Sequence, residues 1–274
     1  MSTEQPEPTA LEQISTITVK GLTIRHAVSG AANTGSTILM LHGWGASLDL
    51  LLPLARKLAQ IGYRVYAPDM PGFGQSPPPP QAWTVFDYAS FIQDYRQAHQ
   101  LDEVFLFGHS FGGRLSLILG ADHPEGIRKM VLADSAGVRS TPSQAVRLRT
   151  SVYKALRNGL NTVRLNGLSR QLQNWYSARY GSADYRAATG VMRETFVNVV
   201  NEDLLPYAAR VKPSTLLLWG DQDQDTPLWQ GQKLEQTIPD AGLVVLKGAG
   251  HYSYLDQLTD SVRIIDFFFR QQTT

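Results

Sequence analysis

Gly108-His109-Ser110-Phe111-Gly112 carries the most specific chemical signal in the sequence. The pattern G-x-S-x-G follows the apolar run Glu103-Val104-Phe105-Leu106-Phe107 directly and opens a helical stretch, the strand, tight turn and helix that such a motif requires. A serine projecting from a sharp turn is an exposed nucleophile, and glycines at 108 and 112 remove side chains that would collide with neighbouring backbone. The alternative role for Ser110 is a plain helix cap. Cysteine is absent from all 274 residues, which excludes a disulfide framework, thiolate zinc ligands and a thiol nucleophile together.

A serine nucleophile needs a base of near-neutral pKa, and the sequence offers six histidines. His251 is favoured because Gly248-Ala249-Gly250-His251 follows the last strand-like run, where parallel strands bring their C-terminal ends to one edge. His26, His99 and His123 read as structural, and His42 and His109 as hydrogen-bonding supports beside functional turns. The acid that orients the base has four candidates: Asp221, Asp223 and Asp225 after Thr215-Leu216-Leu217-Leu218-Trp219, and Asp134 at the end of another apolar run. His42-Gly43-Trp44-Gly45 supplies a second glycine-rich turn, so the backbone N–H groups of Trp44 and Phe111 are expected to converge on a substrate oxyanion. His42, Gly43 and His109 are expected to border the substrate pocket, and the set contains no metal site.

Strands alternating with helices must position these turns. Two β-branched runs between Ser15 and Ser29, parted at Lys20-Gly21, predict an antiparallel hairpin. Apolar strand runs then alternate with helical stretches at Leu48 to Gln60, Val85 to His99, Gly112 to His123 and Trp229 to Thr237. Leu255, Leu258, Val262, Ile265 and Phe269 predict the inward stripe of a closing helix. The fold class is therefore α/β, a mainly parallel sheet with helices on both faces. Between 138 and 207 the alternation stops and several helices are expected, an inserted cap; residues 1–14 read as a frayed tail, with 15–137 and 208–274 as the core.

Net charge is +1, which argues against a nucleic-acid partner, but the charge is divided. Residues 138–200 hold ten basic and two acidic side chains, a net +8 that leaves −7 elsewhere. Either the cap draws anionic substrates toward the cleft, or its arginines solvate exposed helix faces. No apolar run is long enough to span a bilayer and no secretory signal is visible, so the expected compartment is the cytoplasm, with no membrane partner.

The order Ser110, an aspartate in the 220s and His251, preceded by His42-Gly43-Trp44-Gly45, resembles the α/β-hydrolase superfamily over residues 15 to 272. Asp69-Met70-Pro71-Gly72-Phe73-Gly74-Gln75-Ser76 is similar to that family's D-x-P-G-x-G-x-S loop. The resemblance implies an eight-stranded sheet, no cofactor, and the catalytic triad Ser110, Asp223 and His251, because the family's acid stands three residues after a glycine and four before a proline, here Gly220 and Pro227. It implies hydrolysis of an ester or related acyl bond of a small molecule through an acyl-enzyme, while serine at the elbow argues against dehalogenases and epoxide hydrolases. Two alternatives stand: a hydrolase of carbon–carbon bonds in ring-cleavage products, whose loop usually continues with Gly-Pro where this chain has Ala46-Ser47, and a ligand-sensing receptor with little turnover.

Overall fold

A computed structural model describes residues 12–139, 144–180 and 182–271. The strands are β1 (Gln13–Val19), β2 (Leu22–Ser29), β3 (Thr37–Leu41), β4 (Arg64–Pro68), β5 (Val104–His109), β6 (Ile127–Ala133), β7 (Ser214–Gly220) and β8 (Ala241–Leu246). They form one sheet in the order β1-β2-β4-β3-β5-β6-β7-β8. β1, β2 and β4 pair antiparallel, and every pairing from β4 to β8 is parallel. The mainly parallel eight-stranded sheet is thus present, and the C-terminal ends of β3, β5, β6, β7 and β8 share one edge.

β1 begins at Gln13, two residues inside the expected tail, because Gln13 and Ile14 take ladder partners in Val28 and Ala27. Residues 1–11 of that tail lie outside the described residues. β3 and β5 are buried on both faces, as central parallel strands must be. Their continuous apolar runs are the cause.

Helices cover both faces. α1 (Leu52–Gln60) lies on one side with the C-terminal helices α10 (Ser253–Asp256) and α11 (Leu258–Arg270), and the core there is filled by Leu54, Leu58, Phe105, Phe107, Ile265 and Phe269. α2 (Val85–Ala98), α3 (Phe111–Asp122) and α9 (Leu228–Thr237) cover the other side, over Tyr88, Ile92, Leu115, Leu119 and Trp219. Two helices are shorter than their apolar patterns predict. The stretch from Leu48 starts as a 3-10 turn at Leu48–Leu50 before α1, since Pro53 has no N–H for a continuous α-helical ladder. The closing helix breaks at Gln257 (φ −125°, ψ 55°), whose side chain donates to the Lys247 carbonyl at 2.6 Å.

Between β6 and β7 the elements of the described chain are all helices: α4 (Gln144–Thr162), α5 (Asn166–Tyr180), α6 (Ala183–Ala187), α7 (Gly190–Asn201) and α8 (Leu205–Ala208). α6 and α7 lean over the parallel edge, and Phe196 of α7 meets the Trp44 ring at 5.1 Å.

Candidate active site

Ser110 stands between β5 and α3 with φ 51° and ψ −108°, a conformation that costs a non-glycine residue about 1–3 kcal/mol. The strain is held in place from both sides. The Ser110 N–H donates to Ala133 O at 3.1 Å, and its carbonyl accepts from Gly113 at 3.0 Å and Ala136 at 3.1 Å. A Cβ on Gly108 would lie 2.6 Å from the Gly112 carbonyl, and one on Gly112 would strike the Leu41 carbonyl, so both glycines permit the close approach of β5, α3 and β3.

The Ser110 hydroxyl donates to His251 Nε2 at 3.0 Å, and His251 Nδ1–H donates to Asp223 Oδ2 at 2.9 Å. Of the four acid candidates, Asp223 is the one on the imidazole. Its second oxygen accepts the N–H groups of Asp225 at 2.8 Å and Thr226 at 3.0 Å, and the Thr226 hydroxyl donates to Oδ2 at 2.6 Å. Burial alone would raise the Asp223 carboxyl, but the bonds from His251 and Thr226 outweigh it and hold its pKa below the ordinary value. For His251 burial opposes the imidazolium, yet the bond to Asp223 and that carboxylate's charge prevail, and the imidazole lies above 6.5.

The other candidates do different work. Asp134 is fully buried and accepts from Gly220 N–H at 2.8 Å, Ser253 N–H at 3.0 Å and Ser253 Oγ–H at 2.6 Å. It ties the end of β6 to the acid loop and to the segment after His251. Burial first, then the charge of Asp223, raise it to about 7 despite those donors. Asp221 faces outward and accepts from Gly248 N–H at 2.7 Å.

His42 and His109 are buried supports. Met70 N–H donates to His42 Nε2 at 3.0 Å while His42 Nδ1–H donates to Gly43 O at 2.7 Å, so one neutral tautomer pins the Trp44 turn to the loop after Asp69. The buried Asp69 carboxylate in turn accepts from Leu48 N–H at 2.7 Å and Gln75 N–H at 3.0 Å. His109 Nε2–H donates to the His251 carbonyl at 2.7 Å, and burial followed by the proximity of His251 lowers its pKa to about 3. His26 bonds Ser15 at 2.8 Å and Tyr95 at 3.0 Å, away from this edge.

A cleft of about 420 Å³ opens onto Ser110 and is lined by Gly43, Trp44, Phe111, His109 and His251. As the first residue of α3, Phe111 has an N–H with no intrahelical acceptor, at the positive end of the helix dipole. The Trp44 indole packs against Phe73 at 4.8 Å and Phe111 at 5.4 Å, so it is wall and core at once. Asp225, one of the acid candidates, lines the cleft without touching the imidazole, and sequence reasoning missed further lining residues: Asp184 of α6, Tyr252, and Arg114, whose guanidinium donates to Glu202 O at 3.0 Å. Thr226 carried a signal, since Asp followed three residues on by Thr is a local capping pattern. Asp184 carried none, because it stands 74 positions along the chain from Ser110.

Asp223, Asp225 and His251 also offer ligand atoms within 4.8 Å of one another. The Asp223 and His251 atoms are already bonded to each other, which leaves little for a metal.

The family model of the alpha/beta hydrolase fold matches residues 36–258. The chain is 26% identical over 272 residues to a 2-hydroxy-6-oxo-6-phenylhexa-2,4-dienoate hydrolase of Burkholderia cepacia, covering 92% of this chain and 93% of that protein. It is 28% identical to a pimeloyl-[acyl-carrier protein] methyl ester esterase of Chromobacterium violaceum, covering 84% and 93%. The solved enol-lactonase of Burkholderia xenovorans LB400 superimposes with a TM-score of 0.71 over 94% of this chain and 100% of its own, at 20% identity.

Proposed function

The chain belongs to the α/β-hydrolase fold family, and we propose that within it this protein is a serine hydrolase cleaving an ester or related acyl bond of a small molecule. The observation that carries this reading is the relay Ser110 to His251 to Asp223, at 3.0 and 2.9 Å, at the floor of a cleft sized for a small ligand.

Ser110 Oγ attacks the carbonyl carbon as its proton passes to His251 Nε2, and the Asp223 carboxylate stabilises the imidazolium that forms. The oxyanion takes hydrogen bonds from the Trp44 and Phe111 N–H groups. Collapse of the tetrahedral intermediate expels the alkoxide, to which His251 returns the proton. Water then gives a proton to His251 and attacks the acyl-serine, and as the second tetrahedral intermediate collapses His251 returns that proton to the departing Ser110 Oγ, releasing the carboxylic acid. Residues 138–207 act in this reading as a cap over a core of 15–137 and 208–274, with Asp184 and Phe196 among its contributions to the cleft wall.

The test is a serine-reactive fluorophosphonate together with a panel of short-chain p-nitrophenyl esters. Labelling of the native protein is expected, with no labelling of Ser110→Ala and a fall in kcat/KM of at least about a thousandfold. A native protein that neither labels nor turns over any ester overturns the reading in favour of a ligand-sensing role. The similarity to the Burkholderia cepacia relative supports a second reading, carbon–carbon bond hydrolysis of a dienoate ring-cleavage product. Faster turnover of such a dienoate than of every ester would decide for it.

A further inference from the structure

The site leaves the charge of the α4–α5 hairpin without a use. Residues 144–180 contain seven Lys or Arg and no Asp or Glu. The two helices close one face on each other: the Tyr153 and Tyr176 rings stack at 3.9 Å, Thr150 bonds the Tyr176 hydroxyl at 3.1 Å, and the Arg157 guanidinium lies 5.8 Å from the Tyr153 ring centre.

The outward positions are apolar where solvent should select polar residues. Leu148, Val152 and Leu156, four residues apart on one face of α4, are 68%, 51% and 56% exposed. Val163 at the hairpin tip is 63% exposed, and Leu168 and Trp175, seven apart on α5, are 51% and 59% exposed. Scattered single apolar residues need no explanation, but a run along one hairpin does. Exposed Arg149, Lys154, Arg164, Arg170 and Arg179 accompany it.

We infer that the α4–α5 hairpin docks on an anionic lipid surface, its leucines and Trp175 entering the headgroup boundary and its arginines pairing with lipid phosphates. Exposed apolar residues within a purely basic helical pair are the composition that binds such an interface without spanning it. None of the described helices is long and apolar enough to cross a membrane, so the contact is peripheral. The expectation of no membrane partner rested on the lack of a spanning segment, which does not bear on a surface contact. A nucleic acid would match the charge and leave the apolar residues unused. A second copy of the hairpin would match the apolar residues and oppose seven like charges. The inference does not depend on the hydrolase reading.

The test is co-sedimentation of the full-length protein with vesicles of phosphatidylcholine containing phosphatidylglycerol, against phosphatidylcholine alone. Binding to the anionic vesicles at least about tenfold stronger is expected, and molar salt should weaken it. The variant Arg149→Glu/Lys154→Glu/Arg170→Glu and the variant Leu148→Ser/Val163→Ser/Leu168→Ser should each lower partitioning at least about tenfold, with the circular dichroism spectrum unchanged. Equal binding to both vesicle types, or to neither, overturns the inference. So does a loss confined to the charge variant, which would mark a general polyanion site. Self-association without vesicles that the serine variant abolishes would assign the face to a second copy instead.

Discussion

His109 Nε2–H donates to the backbone carbonyl of His251 at 2.7 Å, so the residue beside the elbow serine grips the backbone of the proposed base. The bond links β5 to the loop after β8 across the cleft floor, and it sets how far the imidazole stands from Ser110. His109→Phe keeps the ring volume and deletes the donor. Removing one neutral hydrogen bond costs about 1 kcal/mol, so kcat should fall about fivefold with little change in KM. His109→Gln, which restores a donor, should recover part of the loss. A kcat equal to the native value in the phenylalanine variant would show that the bond does not position the base.

The strained backbone at Ser110 predicts an inversion of the usual order of small residues. Ser110→Gly and Ser110→Ala both lose the nucleophile, and glycine normally costs stability relative to alanine through backbone entropy. At φ 51° and ψ −108° the alanine retains the strain and the glycine relieves it. Urea unfolding should find the glycine variant more stable by about 1 kcal/mol. A more stable alanine variant would mean that the elbow is not strained.

The raised pKa of His251 sets the acid limb of the pH profile. Protonated imidazole cannot take the serine proton, so a group held above 6.5 moves the half-maximal point of kcat/KM above pH 6.5. Asp223→Asn removes the hydrogen bond and charge that do most to raise it, leaving the opposing burial and the smaller influence of Asp134 and Asp225, so the limb should move to lower pH while the rate drops by about three to four orders of magnitude. His109, already neutral with a pKa of about 3, adds no inflection in this range. An acid limb that stays in place in Asp223→Asn would separate the carboxylate from the base.

Much of this arrangement was legible along the chain because its determinants are local. The elbow glycines, the turn after β3 and the parallel strand runs each declare themselves within a few residues. Choosing among Asp221, Asp223 and Asp225 was not local. All three follow β7, and the choice depends on where the β8 loop brings His251. Asp134 shows the same limit, since a buried aspartate at a strand end reads equally as a triad acid or as the tie to Gly220 and Ser253 that it is. The helix breaks at Leu51 and Gln257 were hidden because the apolar periodicity continues through them.

The division of charge invites a prediction against one of the two readings the sequence left open. If the ten basic residues between 138 and 200 steered substrates they would attract anionic ones, yet Asp184 and Asp225 line the cleft. Burial and the charge of Asp225 raise the Asp184 pKa, the mark of carboxylates that share one space. Among the described residues, Arg114 is the one Lys or Arg in the lining, and its donors are turned to the Val200 and Glu202 carbonyls. Near the reacting carbonyl the short-range field outweighs a surface field screened over about 8 Å at physiological salt. Between esters of equal size, one with a terminal ammonium should therefore show a higher kcat/KM than one with a terminal carboxylate. Asp184→Asn should raise the carboxylate ester's kcat/KM by about two- to tenfold, leave a neutral ester unchanged, and lose its effect in high salt. A native preference for the carboxylate ester would mean that the exterior arginines, not the cleft carboxylates, set the choice of substrate.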